Sequence, residues 1–182
     1  MKCKIVAITG KIASGKSTVC AYLSSKGYFV MDCDKIAKDV LHQEEVRKKV
    51  ENLLGKEAYV LEKLNVEFVA KKVFDDVRLL EEYSALVNLG VKEQIESKID
   101  GLKGQIVFCE IARLDAFHFD WTQVWVVQTD KEIALNRAQG RGKDYVEKAY
   151  HLQKDYVGQV YLKNNGNLDR LHLQIEQALK NV

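Results

Sequence analysis

The sequence predicts an α/β fold in three layers, with a five-stranded parallel sheet and a helical segment inserted between its second and third strands. Two observations predict it. Short apolar runs alternate along the chain with longer segments in which apolar residues recur every three or four positions. A glycine-rich motif also follows the first apolar run directly, where a strand would meet a helix. Strands that alternate with helices favour a parallel sheet covered on both faces.

Five short apolar runs supply the predicted strands. Each is too short for a helix, and most are rich in β-branched residues. They are residues 4–9, 28–31, 105–109, 123–128 and 159–162. Asp32, Cys33 and Asp34 follow the second run, and we expect the two aspartates to end that strand.

The core helices are predicted from apolar residues at helical spacing between these strands. They are residues 16–26, a segment after Asp130 with apolar positions over 133–138, a short segment over 146–157, and residues 168–179. Gly27 fits the left-handed residue that ends a helix, and Asp130 fits an N-terminal cap.

The insertion lies between residue 34 and about residue 102, where apolar stripes at helical spacing follow one another almost throughout. This length is far more than a crossover between parallel strands needs. We therefore expect one domain, residues 1–182, in which residues 1–34 and 103–182 form the core. Residues 35–102 then form an inserted helical subdomain.

The motif at residues 10–17 reads G-K-I-A-S-G-K-S and matches the phosphate-binding loop G-x-x-x-x-G-K-[ST]. Its glycines let several backbone N–H groups point at one anion, and the following helix adds the positive end of its dipole. Lys16 can reach the β- and γ-phosphates, and the hydroxyl of Ser17 can bind Mg²⁺. The motif predicts binding of a nucleoside triphosphate, whereas the alternative is a turn that merely links strand to helix.

Carboxylates follow two of the other predicted strands, at the edge where ligands bind in open α/β sheets. Strand alternation would direct Asp32 and Asp34 to the same side, where either could accept or orient the proton of an attacking hydroxyl. The alternative is that both are solvated and that Asp34 caps the next helix. Glu110 ends the third strand and fits a Mg²⁺ environment, a substrate contact or an ion pair with Arg113.

A basic cluster follows the fourth strand. Arg137 and Arg141 are four residues apart, so a continuous helix would place them on one face. Such cations suit a mobile lid, expected over residues 137–157, that stabilises the charge of phosphoryl transfer. A solvated helix end is the alternative. Asn165, in the predicted turn Asn164–Gly166, could border the adenine, although a turn needs no ligand.

Composition excludes several classes of function. The net charge is +2, with 28 basic and 26 acidic residues, which is too balanced for binding to a nucleic-acid backbone. No apolar run approaches the ~20 residues of a membrane helix, and we expect a cytoplasmic monomer that acts on a small molecule. The four cysteines form no C-x-x-C pair, so we expect them to be buried as small hydrophobic residues.

Together these residues resemble the dephospho-CoA kinase family over most of the chain. The resemblance is carried by four segments: 8–18, the stretch G-Y-F-V-M-D-C-D at 27–34, V-F-D at 73–75 and N-N-G at 164–166. It implies transfer of the ATP γ-phosphoryl group to the ribose 3′-hydroxyl of dephospho-CoA. It assigns the ATP phosphates to Ala13, Ser14, Gly15, Lys16, Ser17 and Thr18. It also makes Asp34 the base, places Arg137 and Arg141 in the lid, and gives CoA binding to the insertion.

The chain departs from the family's usual pattern mainly on the acceptor side. The departures in the insertion and after the third strand are Val66, Asn88, Leu89, Glu110, Ile111 and Ala112. In the loop, Lys11 and Ala13 replace glycines at variable positions of the motif. Two alternative functions therefore stay open: a kinase of the same architecture for another small acceptor, and a nucleotide-binding module without catalysis.

Overall fold

The computed structural model describes residues 3–74, 76–116, 119–138 and 143–182, and for residues 116, 143–145 and 152 it describes the backbone alone. Contacts divide the described residues into two units. The first lies within Met1–Asp32, Leu102–Asp115 and Asp120–Val182. The second lies within Cys33–Gly101 and Ala116–Phe119. No helix in the described ranges has both the length and the apolar character needed to cross a bilayer.

The strands in chain order are β1 (Lys4–Thr9), β2 (Phe29–Asp32), β3 (Tyr59–Val60), β4 (Lys63–Leu64), β5 (Ile106–Glu110), β6 (Gln123–Gln128) and β7 (Val160–Lys163). The α-helices are α1 (Lys16–Ser25), α2 (Cys33–Leu41), α3 (Glu44–Leu54), α4 (Val66–Phe74), α5 (Val77–Ile99), α6 (Lys131–Arg137), α7 (Lys143–Leu152) and α8 (Leu168–Leu179). Within the described ranges, short 3₁₀ segments cover Lys56–Ala58, Asp100–Leu102 and Leu114–Ala116.

The first unit contains the predicted five-stranded sheet, and every pairing in it is parallel. The strand order is β2-β5-β1-β6-β7. The carboxyl ends of all five strands therefore meet at one edge, and the predicted α/β fold class is confirmed. All five predicted strands begin and end within one residue of the observed strands, and the first and fourth, Lys4–Thr9 and Gln123–Gln128, match at both ends.

Apolar residues on α1 and α8 pack against one face of this sheet. Val19 and Leu23 of α1 and Leu171 and Ile175 of α8 are each 0% exposed and share a cluster with Trp125. The alternate residues of β1 are buried as well, so both faces of that strand are covered. Gly27 takes the predicted left-handed conformation, with φ +86°, two residues after the last residue of α1.

The second unit is built from α2, α3, α4 and α5 around an apolar core. The contact of α5 with α2 is close, because a Cβ at Gly90 would lie 2.6 Å from the side chain of Val40. Val50, Val91 and Ile95 are each 0% exposed and complete this packing. The apolar stripes of the sequence are therefore the buried faces of these helices.

The structure departs from the prediction at two points around residues 32–64. The segment is mostly helical, but β3 and β4 pair as an antiparallel hairpin that was not predicted. Its turn places Leu61 and Glu62 at positive φ (+49° and +65°), a conformation that neither residue type signals. In addition, β2 ends at Asp32 and α2 begins at Cys33, so strand alternation cannot place Asp32 and Asp34 on the same side.

Candidate active site

The phosphate-binding loop, residues 10–17, connects β1 to the start of α1. Two of its positions require glycine, both because φ is positive and because neighbouring residues leave no room for a Cβ. A Cβ at Gly10 (φ +151°) would overlap the carbonyl oxygen of Val127, and one at Gly15 (φ +94°) would overlap the amide nitrogen of Asn164. Only glycine therefore fits at either position, and the loop can pack directly against Val127 and Asn164.

Lys16 is the first residue of α1, and its side chain folds back across the loop. Its ammonium donates to the carbonyl oxygens of Gly10 at 3.0 Å and Lys11 at 3.3 Å. Because α1 begins here, the N–H groups of its first turn point out of the helix toward the loop. The loop thus combines a side-chain cation with the positive end of a helix dipole, which suits an anion.

The middle of the loop is hydrogen-bonded to the residue that follows β6 and to the turn that follows β7. The carbonyl oxygen of Ser14 lies 2.8 Å from the hydroxyl of Thr129 and 2.9 Å from the side-chain amide of Asn164, which donates to it. The Ser14 hydroxyl itself is buried and has no hydrogen-bond partner among the described residues. A buried hydroxyl without a partner is costly unless a ligand supplies one.

Ser17 and Glu110 come together at the other end of the loop. The Ser17 hydroxyl donates to Glu110 Oε1 at 2.9 Å. Glu110 ends β5, and it lies opposite Asp32 on the neighbouring strand β2. Hydroxyl and carboxylate oxygens are the ligands that Mg²⁺ prefers. The described residues contain no group of three or more His, Cys, Asp or Glu side chains that could hold a metal. This set therefore fits an ion that takes its other ligands from phosphates and water.

Arg137 lies at the end of α6, on the side of the loop held by Thr129 and Asn164. Its guanidinium donates to the hydroxyl of Thr129 and the side-chain oxygen of Asn164, both at 3.4 Å. Arg141, its predicted partner in the lid, lies outside the described residues.

The segment 150–156, from the end of α7 onward, contacts the first part of the loop. The Lys11 ammonium pairs with Asp155 at 2.8 Å and lies 4.9 Å from the centre of the Tyr150 ring. The backbone N–H of Ile12 donates to Gln153 Oε1 at 2.6 Å. A cavity of about 480 Å³ beside these contacts is lined by residues that include Lys11, Tyr150, Asp155 and Asn165.

The Asn164–Gly166 turn is hydrogen-bonded to Asp130, two residues after the end of β6. Asn165 accepts from the backbone N–H of Asp130 at 3.1 Å and donates to its carboxylate at 2.9 Å. Asp130 stands at the N-cap of α6 as expected, but its side chain makes no capping hydrogen bond. Its carboxylate instead binds the turn, so this side chain fixes a loop rather than a helix end.

Asp34 belongs to the second unit, in the first turn of α2. It follows Asp32 by two residues, but Cys33 and Asp34 have already entered the helix. Asp34 is therefore neither a strand residue nor the helix cap. Its negative charge is favourable at this position, close to the positive end of the α2 dipole.

A family model described as "Dephospho-CoA kinase" matches residues 4–153. The chain belongs to the dephospho-CoA kinase family. A dephospho-CoA kinase of Fusobacterium nucleatum is 31% identical to it over 200 aligned residues that span 100% of both chains.

Solved structures agree with this assignment at the level of the fold. A Thermus thermophilus protein superposes with a TM-score of 0.84 at 26% identity, over 100% of this chain and 99% of that one. A dephospho-CoA kinase from Campylobacter jejuni gives a TM-score of 0.61 at 19% identity, over 97% of this chain and 95% of its own. These structures therefore share the fold described above.

Sequence reasoning missed several contacts of this dephospho-CoA kinase family member. Thr129 was not singled out, although its position just after β6 is a ligand edge of the sheet. Asn164 was recognised only as a turn residue, yet it supports the loop at Ser14. Gln153 and Asp155 carried no signal, because their partners lie more than 140 positions away along the chain.

Proposed function

We propose that this chain transfers the γ-phosphoryl group of ATP to the ribose 3′-hydroxyl of dephospho-CoA, giving coenzyme A and ADP. The family match over residues 4–153 carries the proposal. The intact loop, with Lys16 and Ser17 in position, supports the donor side of the reaction.

On the donor side, residues 13–18 hold the ATP phosphates. Two features support this role: Gly10 and Gly15 let the loop pack closely against Val127 and Asn164, and the buried hydroxyl of Ser14 lacks a partner in the described part of the chain. The N–H groups of the first turn of α1 add donors. The nucleoside extends toward the turn that contains Asn165.

A Mg²⁺ ion would be held by Ser17, with Glu110 and Asp32 beside it. The Ser17 hydroxyl donates its proton to Glu110, which leaves its lone pairs for a cation. When bound, the ion neutralises charge on the phosphate oxygens.

Five side chains of this chain stabilise the charge of the transfer and move the proton. Lys16 stabilises the negative charge on the β- and γ-phosphate oxygens, and Arg137 and Arg141 add positive charge from the lid, residues 137–157. Asp34 accepts the proton of the attacking ribose hydroxyl, and Asp32 orients that hydroxyl. Residues 35–102 bind the rest of dephospho-CoA.

An acceptor panel tests the proposal. The protein is incubated with Mg-ATP and dephospho-CoA, pantetheine derivatives, nucleosides or nucleoside monophosphates, and ADP release is followed. Among these acceptors, we expect only dephospho-CoA to give ADP release. The Lys16→Ala variant serves as the control and should release no ADP above background. ADP with a different acceptor would show a kinase with another substrate, and its absence throughout would favour a binding module.

A further inference from the structure

The peptide group between Lys11 and Ile12 is hydrogen-bonded at both ends. Its carbonyl oxygen accepts from the Lys16 ammonium at 3.3 Å, and its N–H donates to Gln153 Oε1 at 2.6 Å. The peptide is trans, so its two polar groups point in opposite directions. The bond to Gln153 therefore keeps the carbonyl oxygen turned toward Lys16.

The next residue, Ala13, has a conformation that alanine disfavours. Its φ is +57°, in the left-handed region where a Cβ lies too close to the following carbonyl oxygen. Glycine takes this conformation without strain, whereas alanine gains by returning to a negative φ. Because Ala13 directly follows the peptide that Gln153 binds, the Gln153 bond opposes that return.

Gln153 is itself fixed by contacts on both sides of it along the chain. Before it, the Tyr150 hydroxyl donates to the carbonyl oxygen of Thr129 at 3.3 Å. After it, the Tyr156 hydroxyl donates to the carbonyl oxygen of Ala112 at 3.1 Å. Gln153 is also half-buried, so its hydrogen bond to the loop is partly shielded from water.

The neighbouring ion pair between Lys11 and Asp155 contributes less to the loop. Its N–O distance is 2.8 Å, but the Asp155 side chain is 93% exposed, so water screens the attraction. It also joins two side chains, whereas Gln153 binds the backbone of the loop directly. We therefore expect Gln153 to have the larger effect on the conformation of the loop.

We propose that Gln153 is a positioning residue of the phosphate-binding loop. Its side-chain oxygen binds the Ile12 N–H and thereby keeps Ala13 left-handed. The same bond keeps Lys16 against the loop. The inference rests on the proposed function, in which residues 13–18 hold the ATP phosphates. The Ile12 N–H lies outside that set, so Gln153 can hold the loop while the nucleotide is bound.

A double-mutant cycle between residues 153 and 13 tests this coupling. Gln153→Met keeps a side chain of similar length but removes the acceptor, and Ala13→Gly removes the strain. The affinity for Mg-ADP is measured by calorimetry for wild type, both single variants and the double variant. The melting temperature of each protein is measured without ligand.

Gln159→Met is the matched control. Gln159 Oε1 also accepts from a backbone N–H, that of Val124 at 2.7 Å. Val124 lies near the amino end of β6, whereas the loop follows the carboxyl end of the parallel strand β1. This variant loses an equivalent hydrogen bond away from the loop, so its Mg-ADP affinity should be unchanged.

We expect Gln153→Met to weaken Mg-ADP binding about two- to tenfold, the range for loss of one hydrogen bond. With Ala13→Gly already present, the same substitution should weaken binding by less than about twofold, because a glycine does not drive the loop out of its conformation. Rescue by a change at another residue distinguishes positioning of the loop from a contribution to stability alone.

A purely structural role predicts a lower melting temperature and the same loss of affinity with alanine or glycine at position 13. Equal losses, or an unchanged affinity in Gln153→Met, would overturn the inference. Binding of ADP needs no acceptor, so a wild-type protein that binds Mg-ADP without phosphorylating dephospho-CoA would contradict the proposed function alone. A wild-type protein that does not bind Mg-ADP would overturn both.

Discussion

Lys16 is the residue whose charge the proposed reaction needs most. Its ammonium rests 3.0 Å from the Gly10 carbonyl oxygen, at the loop where the phosphates are proposed to bind. Lys16→Ala should lower kcat for phosphoryl transfer about 10²- to 10³-fold, because negative charge on the β- and γ-oxygens loses its counter-charge. Steady-state kinetics measure this. Lys11→Ala is the control, since that ammonium pairs with Asp155 and should matter much less. A kcat for Lys16→Ala within a few-fold of wild type would contradict the role.

Asp34 carries the proton in the proposed mechanism. Asp34→Asn should lower turnover by about 10²- to 10⁴-fold, because the amide cannot accept the proton of the ribose hydroxyl. ATP affinity, measured by calorimetry, should be unchanged. Asp39→Asn is the matched control, an exposed aspartate on the same helix. Near-normal turnover in Asp34→Asn would assign the base to another residue, with Asp32 the first candidate.

At the scale of elements, the loop and the Asn164–Gly166 turn pack too closely for a side chain at Gly15. Gly15→Ala should weaken ATP binding at least about tenfold, because its Cβ would overlap the Asn164 amide and displace the loop. Gly27→Ala is the matched control: its φ is +86°, but no atom lies within 4 Å of an added Cβ. That variant should lose only about 1–2 kcal/mol of stability, the cost of a left-handed alanine, with normal ATP binding. Equal ATP affinity in the two variants would contradict the steric argument.

The β3–β4 hairpin is joined to α2 by Tyr59, whose hydroxyl donates to the Leu41 carbonyl oxygen at 2.6 Å. Burial raises the pKa of Tyr59 to about 12, so the folded state favours the neutral phenol. This stability is present below pH 10 and is lost as the pH rises toward about 12.

Tyr59→Phe should cost about 1 kcal/mol at neutral pH and remove part of the alkaline loss of stability. Urea unfolding from neutral pH to about pH 12 measures both effects. Tyr161→Phe, at a position 45% exposed, serves as the control. An unchanged alkaline slope in Tyr59→Phe would show that this phenol does not contribute.

For the whole molecule, local patterns in the sequence predicted the sheet and the loop well. The strands are short apolar runs, and the loop is a fixed spacing of glycine, lysine and serine, so neighbouring residues suffice to find them. The start of α2 was missed because Asp32-Cys33-Asp34 suits a strand end and a helix start equally. The hairpin was missed because each of its strands has two residues and its turn has no glycine or asparagine.

Contacts that join distant parts of the chain could not be predicted. Ser17 with Glu110, Ser14 with Asn164 and Ile12 with Gln153 are 93, 150 and 141 positions apart. Their residue types are common on any protein surface, so only the folded sheet reveals which pairs meet. Glu110 is the clearest example. It meets Ser17 because β5 lies next to β1 in the sheet, and no motif in the sequence signals that strand order.

The central claim is that dephospho-CoA is the acceptor, and the identity of the product tests this claim most directly. Dephospho-CoA and Mg-ATP are incubated with the protein, and the product is analysed by mass spectrometry and ³¹P NMR. We predict the gain of one phosphoryl group and a new phosphomonoester on the ribose 3′ oxygen. Unmodified dephospho-CoA beside consumed ATP, or a phosphoryl group on any other oxygen, would contradict the account.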